Sequence, residues 1–266
     1  IKVAPIHWAF FMPAIVLGVM FVVNLFAARN KPSDVSFEDI ETGDASSGDT
    51  GPRLGAMAVL KLMLKSRVIM IIACIEFCSG FLRQAVMQNY RFFAKSMSFT
   101  DNFVYQNWGM TLCIAGILGG VFAGVISDRL YHSRRGPVAF ALYAGMILGI
   151  CGMFVFIGGP ALGWAAAFVS LCVIGVHGML SGTASMDFGG TRNVGVAVGI
   201  IDGFVYAGSG LQGLIYANIL PKGAEAATVG GWFPWPTAMM PLAVIGLVLA
   251  FTIRNEKPKP KAAGGH

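Results

Sequence analysis

Seven stretches of mostly apolar residues, each about 20 long, recur along this chain, which is the length a helix needs to cross a hydrocarbon core. They cover residues 8–28, 68–88, 103–126, 137–158, 162–185, 194–219 and 236–253, the last being the shortest and the sixth the most interrupted by polar residues. No ordinary soluble domain combines 56% hydrophobic and 12% charged residues with a mean hydropathy of +0.69. The expected architecture is all-α: a polytopic transmembrane helical bundle of seven spans in a lipid bilayer.

The charged residues orient those spans. Residues 29–67 form a long polar interval whose acidic, Ser/Gly-rich part, Glu38 to Asp49, reads as a flexible linker. Its basic end, Lys61 to Arg67, has the makings of an amphipathic surface helix. With this interval cytoplasmic, fourteen basic residues share that side: Arg29, Lys31, Arg53, Lys61, Lys65, Arg67, Arg129, Arg134, Arg135, Arg192, Arg254, Lys257, Lys259 and Lys261. Only Lys2, Arg91, Lys95 and Lys222 fall opposite, so the C-terminus is expected inside and Ile1 outside. Trp8, Trp108, Trp164, Trp232 and Trp235 lie at the outer ends of spans, where indole rings favour the interface. Basic residues spent on orientation explain the formal charge of +6 without a nucleic-acid partner. The domain expectation is a single span (1–28), a cytoplasmic linker (29–67), a six-helix bundle (68–254) and a cytoplasmic tail (255–266). Cys74, Cys78, Cys113, Cys151 and Cys172 all lie within or near apolar runs and read as small core residues, neither disulfide framework nor metal site. No cofactor is expected. No signal-peptide pattern opens the chain, and the start at Ile1 without a methionine reads as a fragment.

The most specific local pattern follows the third span, in Gly124-Val125-Ile126-Ser127-Asp128-Arg129-Leu130-Tyr131-His132-Ser133-Arg134-Arg135-Gly136. Gly124 would let two helices approach closely, Asp128 would pair at the helix end, and the arginines would anchor a short cytoplasmic turn. The plain alternative is a basic loop obeying the positive-inside rule. The spacing of Gly124, Asp128, Arg129, Arg134 and Arg135 resembles the inter-helix signature of the major facilitator superfamily. A lone span, a long polar linker and six spans with the signature after the second then imply helices 6–12 of that fold, without helices 1–5. A heptahelical retinal protein is disfavoured because the last span has no lysine for a Schiff base. The order of Trp8-Ala9-Phe10-Phe11-Met12-Pro13-Ala14, Phe81-Leu82-Arg83-Gln84, Ser127-Asp128-Arg129, Ser185-Met186-Asp187-Phe188-Gly189-Gly190 and Ile200-Ile201-Asp202-Gly203 is similar to that of the organophosphate:phosphate antiporters.

Arg83 is the charge that needs a reason, since a guanidinium within a span costs roughly 2.5–3.5 kcal/mol on insertion scales and usually faces a bundle interior or watery cavity. The resemblance implies that it is one of two arginines holding the substrate phosphate, the other lying on helix one. Its planar fork of donors suits a phosphoryl group independently. The alternative is an ion pair with Glu76 or Asp202. Gln84 and Gln88, one turn apart, share a face and are either polyol or sugar ligands or hydrogen-bond glue between helices. Glu76, two turns before Arg83, is a counter-ion, a proton carrier or a group at a cavity mouth. In the sixth span Asp202, Tyr206, Ser209, Gln212 or Gly213, and Tyr216 trace a polar stripe that serves either the pocket or helix packing, with Gly195, Gly199 and Gly203 as a small-residue face. Asp202-Gly203 resembles the eukaryotic branch of the antiporters. His177, the one intramembrane histidine, reads as a packing hydrogen bonder or a substrate contact. Glycines 116, 120, 124, 145 and 149 are expected at close helix contacts.

These readings converge on a membrane transporter, not an enzyme. It would exchange glycerol-3-phosphate or a sugar phosphate for inorganic phosphate by alternating access, in a bacterial inner (plasma) membrane, with its N-terminal half supplied by the same transporter or a separate chain. Alternatives are a transporter-like sugar-phosphate sensor, a transporter of another organic anion such as a carboxylate, and a structural membrane subunit.

Overall fold

The computed structural model describes residues 7–29, 32–38, 56–131, 134–189 and 194–256. The acidic part of the linker beyond Glu38, the tail from Lys257, and Lys2, Lys31, Arg53, His132, Ser133, Gly190 and Arg192 lie outside the described residues. The helices are α1 (Trp8–Ala27), α2 (Ala56–Lys65), α3 (Arg67–Ser96), the single turn α4 (Phe103–Gln106), α5 (Trp108–Leu130), α6 (Arg135–Phe156), α7 (Leu162–His177), α8 (Ser185–Gly189), α9 (Val194–Ile219) and α10 (Pro234–Thr252). Among the described residues there is no strand, and seven helices are long and apolar enough to cross a membrane. The chain divides into two units, residues 1–43, which contain α1, and residues 44–266.

Within the larger unit, α3, α10, α6 and α7 close a four-helix ring, with α9 packed on α3 and α5 packed on α7. Ile72, Phe81, Leu82, Tyr143, Met146, Ile150 and Trp235 fill its centre and are wholly buried. Three large buried polar side chains are paired with carbonyls of neighbouring helices, as a lipid environment favours. The Tyr143 hydroxyl donates to Ile75 O at 2.6 Å, the Trp235 indole to Ala85 O at 2.9 Å and the Tyr216 hydroxyl to Trp235 O at 2.9 Å. The α3–α9 contact is closest at Gly80 and Gly208, where an added Cβ would collide with the carbonyls of Val205 and Phe77. Only glycine permits such backbone approach.

Several expectations change here. The second span runs on to Ser96 because the polar residues past its apolar run find partners: Asn89 donates to Ala85 O, and Tyr90 meets Asn102. The third span is interrupted at Asn107, dividing α4 from α5. The basic end of the linker is indeed amphipathic and helical, but α2 starts earlier, at Ala56, and seats Val59 and Met63 against Ile69 and Ala197. That cluster places the starts of α3 and α9 at one end of the bundle.

Close approach does not follow the expected glycine ladder throughout. Gly116, Gly145 and Gly149 do face neighbours, but a Cβ on Gly120 or Gly124 would meet nothing within 4 Å, and Gly119 touches the backbone of α7 instead. A Cβ on Gly195, Gly199 or Gly203 likewise meets nothing within 4 Å. Trp108, Trp232 and Trp235 are buried with their indole N–H groups donating to Met87, Ala226 and Ala85 carbonyls, so only Trp8 and Trp164 are exposed as interfacial anchors would be. All five cysteines are free; Cys78 and Cys172 are core residues, whereas Cys113 and Cys151 are exposed on outward helix faces.

Candidate functional site

α3, α7 and α9 bring the intramembrane polar residues together. Arg67 to Glu76 and Val194 to Asp202 are comparable distances from one end of the bundle, about 12–14 Å at 1.5 Å per residue. α7 descends to the same level from the other side, and beyond His177 it changes from α to π geometry over Gly178–Ala184. A π stretch widens the helix and turns its side chains, and such irregularities recur at functional sites. Here it aims His177 and Ser181 at two different helices. His177 Nδ1 lies 3.0 Å from Glu76 Oε2 on α3, and the Ser181 hydroxyl donates to Asp202 Oδ1 on α9. Glu76 is wholly buried, and its second oxygen, Oε1, has no partner among the described residues.

Arg83 stands about two turns further along α3, half-buried. Neither carboxylate offered as its partner reaches it: among the described residues it forms no ion pair, Glu76 being taken by His177 and Asp202 by Ser181. It is close enough to act electrostatically on both Glu76 and His177, as is Asp202. Gln84 is half-buried and Gln88 exposed, and neither amide is bonded to a neighbouring helix among the described residues. The stripe on α9 divides. Tyr206 is 70% exposed, while Gln212 and Tyr216 turn into the core. Ser209 donates to Gly80 O and Val205 O, both at 3.1 Å, so its hydroxyl hydrogen is spent on the α3–α9 contact that the small residues create.

The expected signature residues form a second polar site, at the α5–α6 corner. Arg135 is buried and paired: its Nε donates to Asp187 Oδ2 at 3.1 Å, and its Nη1 to Ser127 Oγ at 2.8 Å and Asp128 Oδ1 at 2.9 Å. Asp128 and Arg129 sit in the last turn of α5 and not in a loop. Arg129 is exposed and Arg134 half-buried. Gly136 fits because a Cβ there would strike Ile253 O. Neither Ser127 nor Asp187 was singled out from sequence; each was visible only as part of a motif. Burial holds the Asp187 carboxyl above its ordinary value of 3.8, with the Arg135 hydrogen bond and charge pulling it back.

The profile described as Major Facilitator Superfamily matches residues 1–213. The chain belongs to that superfamily. Among curated proteins, this superfamily member is 25% identical over 226 residues to the glycerol-3-phosphate transporter of Bacillus subtilis, covering 79% of the chain and 48% of that protein. It is 23% identical over 263 residues to a probable hexose phosphate transport protein of Chlamydia muridarum, covering 90% of the chain and 55% of the relative. The membrane sensor protein UhpC of Salmonella typhimurium is 29% identical over 109 residues, 40% of the chain and 24% of the sensor. The chain thus matches about half the length of the two transporters. These relatives, two of them named for phosphate-ester transport, support the resemblance to which the order of motifs pointed, and the chain is that of an integral, multi-pass membrane protein of this superfamily.

Proposed function

We propose that this chain supplies helices 6–12 of a transporter that exchanges a phosphate ester, glycerol-3-phosphate or a sugar phosphate, for inorganic phosphate by alternating access. Its linker and C-terminus would face the cytoplasm of a bacterial inner membrane, and helices 1–5 would come from the same protein or a separate chain. The observation that carries this reading is the state of Arg83. A half-buried guanidinium inside a span, without an ion pair among the described residues, has its charge available to an anion. Its forked donors match two phosphoryl oxygens. Gln84, Gln88 and Tyr206 carry unspent polar groups suited to the ester's hydroxyls, Asp202 borders the same region, and Ser209 contributes only its lone pairs.

The test is exchange of radiolabelled inorganic phosphate against a panel of phosphate esters in proteoliposomes of the complete transporter. Exchange stimulated by one ester and crippled in Arg83→Lys supports the reading and names the substrate; undiminished exchange in that variant overturns it. The 29% identity with a membrane sensor protein favours one alternative, a pocket that binds the ester without comparable flux. Ester binding with no exchange selects that alternative.

A further inference from the structure

Glu76 is a carboxylate that phosphate binding at Arg83 does not require, yet it sits wholly buried within a span at the cost such a group always carries. Its one partner among the described residues is a histidine, the side chain whose protonation changes most readily near neutral pH. His177 is 28% exposed in its side chain whereas Glu76 is wholly enclosed, so the imidazole is the open member of the pair. We propose that Glu76 and His177 together form a proton-binding site, loaded when an anion occupies Arg83 and unloaded when it leaves. This rests on the proposed anion site at Arg83.

The charge arithmetic supports the linkage. Unloaded, a carboxylate and a neutral imidazole carry one negative charge; loaded, a carboxylate and an imidazolium carry none, the added proton arriving from water at the open imidazole. The groups facing the pair are few. Along α3 there is Arg83, from α9 Asp202, and from α6 Tyr143, whose hydroxyl is engaged by Ile75 O. α10 bears no ionisable side chain, Asp187 on α8 is tied to Arg135, and Lys61 and Lys65 of α2 are exposed at the bundle end. With Arg83 bare, its positive charge offsets one of the two carboxylates, Glu76 and Asp202. A phosphate neutralises Arg83 and adds negative charge, leaving Glu76 and Asp202 in excess. Glu76 and Arg83 are seven residues, roughly 10 Å, apart along the helix. At that separation and an effective dielectric of about 20, one added negative charge raises proton affinity at the pair about tenfold. Linkage makes the effect reciprocal, so a proton on the pair tightens anion binding about tenfold.

The experiment is titration calorimetry of the complete transporter in detergent with glycerol-3-phosphate and with glucose-6-phosphate, in two buffers of different ionisation heat at several pH values. Comparing native protein with Glu76→Gln and His177→Gln at the same pH cancels the ester's own titration. The expected result is uptake of a proton on binding in the native protein beyond that in either variant, with the native affinity gaining about tenfold over the variants as pH falls. Size-exclusion profiles establish that each variant is folded, and two variants guard against one that is not. A purely structural pair would weaken binding equally at every pH, and equal proton counts in native and variant proteins overturn the proposal while leaving the Arg83 reading intact. Absence of ester binding to native protein overturns both.

Discussion

Two arginines of this chain are drawn away from full exposure, and they are treated in opposite ways. Arg135 is buried and its guanidinium is met by Asp187, Asp128 and Ser127. Arg83 is half-buried, and the two nearby carboxylates are each occupied by a side chain of α7. The difference teaches how to tell a structural charge from a binding charge. A buried ion pair neutralises its guanidinium and ties three segments together, whereas an arginine whose natural counter-ions are diverted keeps its charge for something that arrives later. Asp202 and Glu76 are near enough to influence the Arg83 region without neutralising it by contact.

Unequal substitution effects would sharpen that contrast. Arg135→Met strands Asp187 in a site that is nearly inaccessible, and should cost about 3–5 kcal/mol in thermal unfolding of the purified protein. An unchanged melting temperature would dissolve the contrast at once. Arg83→Met removes no ion pair, so its melting temperature should stay within the equivalent of about 0.5 kcal/mol of native, while affinity for a phosphate ester falls by about 2 kcal/mol, roughly thirtyfold. Large destabilisation with little loss of affinity would reassign Arg83 to the structural class. Ser181→Ala frees Asp202 from its hydroxyl partner and should lower stability by about 0.6 kcal/mol, typical of an interhelical hydrogen bond in a membrane; a greater loss of ester affinity than of stability would show that Asp202 then turns on Arg83.

The smallest signal concerns pH. Because burial holds Asp187 above 3.8 in the folded protein, the folded state binds that proton more tightly than the unfolded chain does. Its contribution to stability is full below 3.8 and is lost as pH rises through the higher folded value. Asp187→Asn should remove that part of the slope, read as melting temperature against pH. A slope unchanged by the substitution would show that the group does not titrate in this way.

Much of the site was legible before any coordinates, because a charge inside an apolar run is conspicuous and helical spacing is local. Arg83, Gln84 and Gln88 lie on one stretch of α3, and the signature arginines lie about the α5–α6 corner. Pairing was not legible. Glu76 and His177 are 101 residues apart, and Arg135 and Asp187 are 52 apart, so no window of sequence contains both members. The i, i+4 rhythm of Gly116, Gly120 and Gly124 was real, but the α5–α7 crossing selects Gly116 and Gly119, since the angle between two helices decides which glycines meet. The π stretch at Gly178–Ala184 had no announced signal beyond its two glycines.

What the sequence by itself determined is the number and approximate extent of the spans and the presence of one arginine within them, since hydrocarbon thickness and the cost of burying charge act on each segment separately. Which polar groups satisfy one another, which tryptophans are core and which glycines touch were decided by tertiary structure. Those outcomes depend on how far α7 turns in its π stretch and on how closely α3 and α9 approach at Gly80 and Gly208, both set by the helices around them.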